Sequence, residues 1–423
     1  MGWLLIPFRN IPSWHFLPFF VAIFVLPSIA VTVNSGATTT FWFLSIPALI
    51  FFWSKKLKLF KLERLLLFGF VSLFIATGLS LINAEDLLDS LGSYERYVRF
   101  LLFVPLYLFV RKYQLELAPI FSWGLLLGCL VIGLVAIYQY HVLNMPQPMG
   151  ARQINRFGFA AVTFFLLLTL QVIFRWRAKW ILLAATTVSI VIIYGITLNN
   201  TRGAMLCVFP FMLLLMFQFR NDFDRKKILL FLLVSVGILA LFLHPRSPVA
   251  QYYYMGFEQL SLFVQDPMQN YKNSWGVRFL LMYHGIVIFL QSPILGTGLG
   301  DYRQDIESMM NAGQLLVNDP LMLQGAHNIF IHILAETGLV GFFVFVLFVF
   351  ILPIYIYSYF LMKYQSNPKI SLYALSGLTI MICHFTFGMV NTWLTNNAIS
   401  IFLILNLVFI SNIFILSEKT EPT

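Results

Sequence analysis

The sequence has little charge. Only 10% of its 423 residues are Asp, Glu, Lys or Arg, where a soluble protein carries about 25%. That shortage excludes an ordinary globular enzyme. With 60% hydrophobic residues, a disordered chain is excluded as well. Cysteine is scarce too. The three present, Cys129, Cys207 and Cys383, all fall within apolar runs, so they give neither a disulfide framework nor a metal-ligand spacing. The alternation of apolar and polar residues that marks a transmembrane β-barrel is missing. So are a Walker or Gly-rich phosphate loop, a His-Glu-x-x-His motif and a carboxylate cluster suited to a metal.

What is there is apolar. Forty-five Phe and 18 Tyr accompany continuous runs about twenty residues long, the length one helix needs to cross a bilayer. Twelve such segments are read, at about 16–33, 38–53, 65–83, 97–110, 117–140, 158–174, 180–198, 203–219, 228–244, 335–361, 371–390 and 397–416. The expected fold is an all-α polytopic membrane protein. Nine spans lie in 1–244, a large and partly helical loop in 245–326, and three spans with a short tail in 327–423. The first span follows a lone base, Arg9, with no small-residue cleavage site, so it reads as retained rather than as a signal peptide.

The bases set the orientation. With the N-terminus cytoplasmic, about two thirds of the 27 bases fall on the cytoplasmic side, among them Lys55, Lys56, Lys58, Lys61 and Arg64. The acids favour the other side, as the positive-inside rule requires. Both termini are then cytoplasmic and 245–326 faces away from the cytoplasm. The net charge of +10 fits topology better than nucleic-acid binding. Within the long loop, Phe279–Leu290 is apolar but too short to span. It is expected to lie on the membrane surface or pack on the bundle.

The bases on the wrong side need a reason. Arg202 follows Asn199, Asn200 and Thr201 at the start of a span. Arg278 opens the apolar stretch of the loop, and Arg152 and Arg156 precede the sixth span. Such residues either snorkel to the interface or face an anion, to which Arg offers a rigid planar fork. A lipid-linked diphosphate sits at this depth, and anionic phospholipid headgroups would satisfy the same groups.

Of seven histidines, His327 is singled out, in Ala326-His327-Asn328-Ile329-Phe330 where the loop meets a span. A neutral imidazole there can take a proton from an attacking hydroxyl, or it can simply bond a helix end. His332 and Glu336, four apart, share a helix face. Glu336 lies in an apolar helix, where an acid is functional by default. His327 and Glu336, nine apart, are out of phase for a direct pair. Gly296, Gly298 and Gly300 read as a tight turn.

The run His327-Asn328 followed by Glu336, Gly338 and Gly341 resembles the hallmark of bacterial O-antigen ligases and polymerases. Arg278 to Tyr283, then Ser292-Pro293 and Gly296-x-Gly298, resembles the block that precedes it, and Thr201-Arg202-Gly203 resembles the family's other recurring arginine. The motifs lie within 199–341. The resemblance implies a GT-C-like, metal-independent, inverting glycosyltransferase of the bacterial inner membrane with a periplasmic active site and no cofactor. The implied donor is a glycan on undecaprenyl diphosphate, and for the ligase the acceptor is a sugar hydroxyl of lipid A-core. Carried over, His327 is the base and Arg202 and Arg278 hold the diphosphate, with Asn328 and Glu336 of the same motif as supporting candidates; Arg152 and Arg156 match no family motif and are supporting candidates by their position alone. The polymerase, which would extend the lipid-linked glycan, is the alternative. A lipid-linked glycan transporter is a reading of another class, though the internal repeats common in transporters are not evident.

Overall fold

A computed structural model describes residues 14–50, 57–151, 153–175, 178–219, 248–267, 269–317 and 319–420. The expected ninth span at 228–244 and the candidate Arg152 lie outside the described residues. Among the described residues every regular element is helical, as a chain in lipid requires, because a helix satisfies its own backbone polar groups.

Seven helices are long and apolar enough to cross a membrane: Lys61–Asn83, Ala118–His141, Ile154–Phe174, Lys179–Asn199, Ile329–Lys363, Pro368–Gly388 and Asn396–Thr420. Three shorter apolar helices, Leu17–Ile29, Gly36–Ile50 and Arg202–Gln218, fall on other expected segments. The segment at 97–110 is met by the 15-residue helix Val98–Lys112. Against twelve expected spans, seven described helices thus have crossing length.

In chain order the helices used below are α1 (Leu17–Ile29), α2 (Gly36–Ile50), α3 (Lys61–Leu79), α4 (Leu87–Tyr94), α5 (Val98–Lys112), α6 (Ala118–His141), α7 (Ile154–Phe174), α8 (Lys179–Asn199), α9 (Arg202–Met205), α10 (Val208–Phe219), α11 (Pro248–Gln265), α12 (Ser274–Gln291), α13 (Tyr302–Asn311), α14 (Ile329–Phe345), α15 (Leu352–Lys363), α16 (Pro368–Gly388) and α17 (Asn396–Thr420). A π-helical turn, Val346–Ile351, joins α14 to α15.

The bundle is built around its C-terminal helices. The apolar window of α17 is 94% buried and that of α16 83%, against 28% for α8. Helices in lipid gain little from burying apolar surface alone, so packing and internal hydrogen bonds hold them together. Tyr357 Oη donates to Asn406 Oδ1 at 3.0 Å, and the Ala118 N–H donates to Asn412 Oδ1 at 3.2 Å. At one end of the bundle Arg111 is fully buried between Glu63 and Glu418, and Tyr107 donates to Glu63 at 2.7 Å. Arg111 counts as a topology-setting loop base in the sequence, yet its side chain is wholly enclosed.

The connections at the other end are tied to one another. The Ala151 N–H donates to Val31 O at 3.0 Å, Arg96 Nη1 to Leu394 O at 3.1 Å, and Asn328 Nδ2 to Met389 O at 3.1 Å. The long loop contributes α11, α12 and α13. Its apolar stretch forms most of α12, whose Leu280, Leu281 and Ile288 share a small core with Tyr302, Ile306 and Met309 of α13 and Ala335 of α14. Through this face the stretch packs on the bundle, one of the two placements expected for it.

Candidate active site

The site begins where α8 stops. Asn200 caps α8 in the left-handed conformation (φ 54°, ψ 38°), and Thr201 is extended before α9 begins at Arg202. Asparagine tolerates left-handed backbone better than most residues. Buried hydrogen bonds hold the turn. Asn199 Nδ2 donates to Pro148 O at 2.6 Å and Ile154 O at 3.1 Å, while Thr201 Oγ1 donates to Asn199 Oδ1 at 2.6 Å. The backbone that carries Arg202 is therefore braced before any ligand arrives.

The Arg202 guanidinium reaches α11 and α12. A Cβ on Gly256 would stand 2.6 Å from Arg202 Nη1, with Trp275 Nε1 3.6 Å from the same point. A side chain at this position on α11 would make the guanidinium shift from its present place.

Arg278 comes from α12, one turn after the Asn273 cap, whose Oδ1 accepts from Trp275 and Gly276 N–H. Arg278 Nη1 donates to Ser274 Oγ at 2.7 Å and to Ser274 O at 3.2 Å, and its Nε is buried without a partner. Burial and then the nearby charge of Arg202 hold the guanidinium below its ordinary pKa.

Both arginines line one cavity of about 810 Å³. Its polar lining also includes Asn155, Asn200, Thr201, Asn328 and Asn391; Phe257, Leu260, Trp275, Phe279 and Met282 form an apolar wall. No carboxylate is among its described lining residues. Two guanidiniums on one cavity are suited to an anion, and the apolar wall to an attached hydrocarbon.

His327 stands beside this cavity. It has left-handed backbone (φ 50°), and the next residue, Asn328, caps α14 by accepting from Phe330 and Ile331 N–H. Its Nε2 lies 3.1 Å from Gln324 Oε1, and its Nδ1 is buried without a partner. Burial, reinforced by the positive charge of Arg278, lowers its pKa to about 4. The imidazole is thus neutral at ordinary pH, the form that accepts a proton.

Glu336 is placed elsewhere. It is buried and lies 3.4 Å from His332, the pair their spacing predicts. The helix is broken at Gly338 (φ 59°, ψ −164°), and the Pro293–Gly298 turn enters the break. Thr297 and Gly298 N–H donate to the carbonyls of Ala335 and Glu336, while Leu339 and Val340 N–H donate to those of Pro293 and Ile294. Gly296, Gly298 and Gly300 do turn with positive φ, but the turn is clasped into α14 rather than left on the surface. Glu336 therefore belongs to this clasp.

Arg156 is also separate. Asn155 faces the cavity of Arg202 and Arg278, whereas Gln153 and Arg156 line a second cavity of about 400 Å³. The structure thus gathers Arg202, Arg278 and Asn328 on one cavity with His327 adjoining, and puts Glu336 and Arg156 in other settings. The sequence reading missed Asn155, Trp275 and Asn391. Their only sequence signal is an amide or indole bordering an apolar run.

Residues 187–346 match the model of a family described as O-antigen ligase. The matched stretch holds Arg202, Arg278, His327, Asn328 and Glu336. No curated protein matches the chain.

Proposed function

We propose that this chain, which carries an O-antigen ligase/polymerase superfamily domain over residues 187–346, is a ligase that transfers a glycan from undecaprenyl diphosphate to a sugar hydroxyl of lipid A-core. The observation that carries the proposal is the pairing of Arg202 and Arg278 on one cavity, with no carboxylate among its described lining residues and neutral His327 beside it.

Each part has a chemical task. Arg202 and Arg278 bind the donor's diphosphate, and the apolar wall takes the first part of its polyprenyl chain. The acceptor oxygen attacks the anomeric carbon while its proton passes to the His327 imidazole. The bond from that carbon to the diphosphate oxygen breaks, and its electron pair leaves on the diphosphate. The two guanidiniums stabilise the growing negative charge, a task that oriented donors perform well in a water-poor site. A single displacement inverts the anomeric centre, in the manner of a GT-C-like enzyme. The reaction asks for no metal or other cofactor. The proposed setting is the bacterial inner membrane, with the site facing the periplasm and both termini cytoplasmic.

The pKa of His327 bears on this scheme. A group near 4 is a weak base. Bound diphosphate offsets the charge of Arg278, which raises the basicity of the imidazole when the donor is in place.

The test is a transfer assay with purified protein, lipid-linked glycan, lipid A-core and EDTA. Glycan appearing on lipid A-core, and lost in His327→Ala, is the expected result. Longer lipid-linked glycan with untouched lipid A-core replaces the ligase by the polymerase. Activity that requires added divalent metal removes the two-arginine account.

A further inference from the structure

The bond-making and bond-breaking steps just described use no residue of the second cavity, about 400 Å³. It lies at the end of the bundle where the 31–38, 149–151, 153–157 and 395–397 segments meet. Arg96 and Arg156 line it, with Asn34, Thr38, Thr395 and Asn397, and no carboxylate is among its described lining residues. The nearest acid in sequence, Glu95, is exposed and does not line it.

Three features mark it as built. Arg96 is held in place, donating through Nη1 to Leu394 O at 3.1 Å and through Nη2 to Ser93 Oγ at 2.8 Å. The amide of Asn397 links two strands of chain, its Oδ1 accepting from Thr38 N–H at 3.1 Å while its Nδ2 donates to Ala30 O. Finally, the hydroxyls of Thr38 and Thr395 are buried and have no hydrogen-bond partner. A buried polar atom left unpaired costs free energy unless something completes it.

The lining is largely polar, unlike the aromatic wall of the larger cavity. The arginines, amides and hydroxyls favour a polar ligand over a hydrocarbon chain. Two guanidiniums match the charge of a phosphate monoester, whose three terminal oxygens accept bidentate and hydroxyl hydrogen bonds together. The volume exceeds what a lone phosphate needs, since one water occupies about 30 Å³ of liquid. The remaining amides and hydroxyls suit sugar hydroxyls. We propose that the cavity lined by Arg96 and Arg156 is a binding site for a phosphate-bearing saccharide, separate from the Arg202–Arg278 cavity. In the reaction proposed above, on which only this assignment rests, the occupant is a phosphosugar of the acceptor. Binding itself does not depend on that reaction.

The test is a binding titration without turnover. Protein in neutral detergent is titrated with glucose 6-phosphate, glucose and inorganic phosphate by isothermal calorimetry. Glucose 6-phosphate is expected to bind tightest. Its affinity should fall about ten-fold or more in Arg156→Gln, the loss expected for one charge-assisted hydrogen bond. Arg156→Lys should recover part of it. Because Arg96 also braces Leu394 and Ser93, Thr395→Val serves as a second, milder variant and should weaken binding several-fold. The double variant Arg202→Gln, Arg278→Gln should bind the sugar phosphate as wild type does. Repeating the titration in phosphatidylglycerol nanodiscs separates the sources of phosphate: retained affinity supports the saccharide, and competition by the lipid reassigns the site to a headgroup. Equal affinity in wild type and Arg156→Gln overturns the proposal, as does binding lost only in the Arg202, Arg278 double variant. Inorganic phosphate binding as tightly as the sugar phosphate overturns its saccharide part. Failure of the glycan-transfer assay leaves each of these outcomes readable.

Discussion

Arg278 lies close enough to Arg202 to feel its charge: burial and that neighbour together hold the Arg278 guanidinium below its ordinary pKa. The two residues come from α12 and α9 and meet at one cavity. Like charges brought together out of water cost free energy, so the arrangement makes sense when an anion joins them.

Arg202→Ala and Arg278→Ala should each lower transfer by about 10²–10³-fold, the usual cost of removing one oriented donor from a developing negative charge. The variants should insert and purify like wild type. Arg→Lys should recover only part of the activity, because the planar fork is lost. Full activity in both alanine variants would rule out the diphosphate clamp.

The pH profile should report His327. Its pKa of about 4 means the imidazole is neutral above that value and charged below it. For the free enzyme, kcat/KM should hold through pH 6.5 and fall only as the pH drops towards 4. Arg278→Gln removes a positive charge and should move this acid limb to higher pH. In wild type, the limb for kcat should lie above that for kcat/KM, since bound diphosphate favours the imidazolium. An acid limb at 6.5 that does not move in Arg278→Gln contradicts the assignment.

The clasp can be tested through Gly338. A Cβ there would meet Ile294 C and O at 2.4 Å, on a backbone with φ 59°. Gly338→Ala should therefore destabilise the protein by more than about 2 kcal/mol, from steric clash added to left-handed strain. Gly313→Ala is the control. Its φ is 68° but nothing lies within 4 Å of the added atom, so the cost should be about 1 kcal/mol. Thermal unfolding in detergent compares them, and equal shifts would mean that the clasp does not constrain α14.

The buried Glu63–Arg111 pair should behave as a unit. Arg111→Met leaves the Glu63 charge enclosed and should cost about 3–5 kcal/mol. Adding Glu63→Gln should return much of that loss. Thermal denaturation of the single and double variants makes the check, and a neutral Arg111→Met would show that the pair carries no such penalty.

Much of the fold was legible because lipid imposes strict conditions on sequence. A chain in hydrocarbon must pair its own backbone, so long apolar runs become helices. The runs at 117–140 and 397–416 are found as α6 and α17 within a few residues. The i, i+4 spacing of His332 and Glu336 likewise fixed their contact. The enclosure of Arg111 was not legible, for an equally physical reason. A base at a helix end looks the same in sequence whether it meets water or a buried carboxylate.

The sequence by itself determined an all-helical membrane protein, the arginines at 202 and 278 bordering apolar runs, and the histidine at a helix start. Each is a local property, set by residue type and by position along one run. The tertiary structure alone decided which of these residues share a space. It joined Arg202 to Arg278, drew Asn155 and Asn391 into the same cavity, locked Glu336 into the clasp and turned Arg156 towards Arg96. Adjacent residues at the start of α7 face different cavities because a helix turns about 100° per residue. What each turn faces depends on the helices packed around it, which no local spacing specifies.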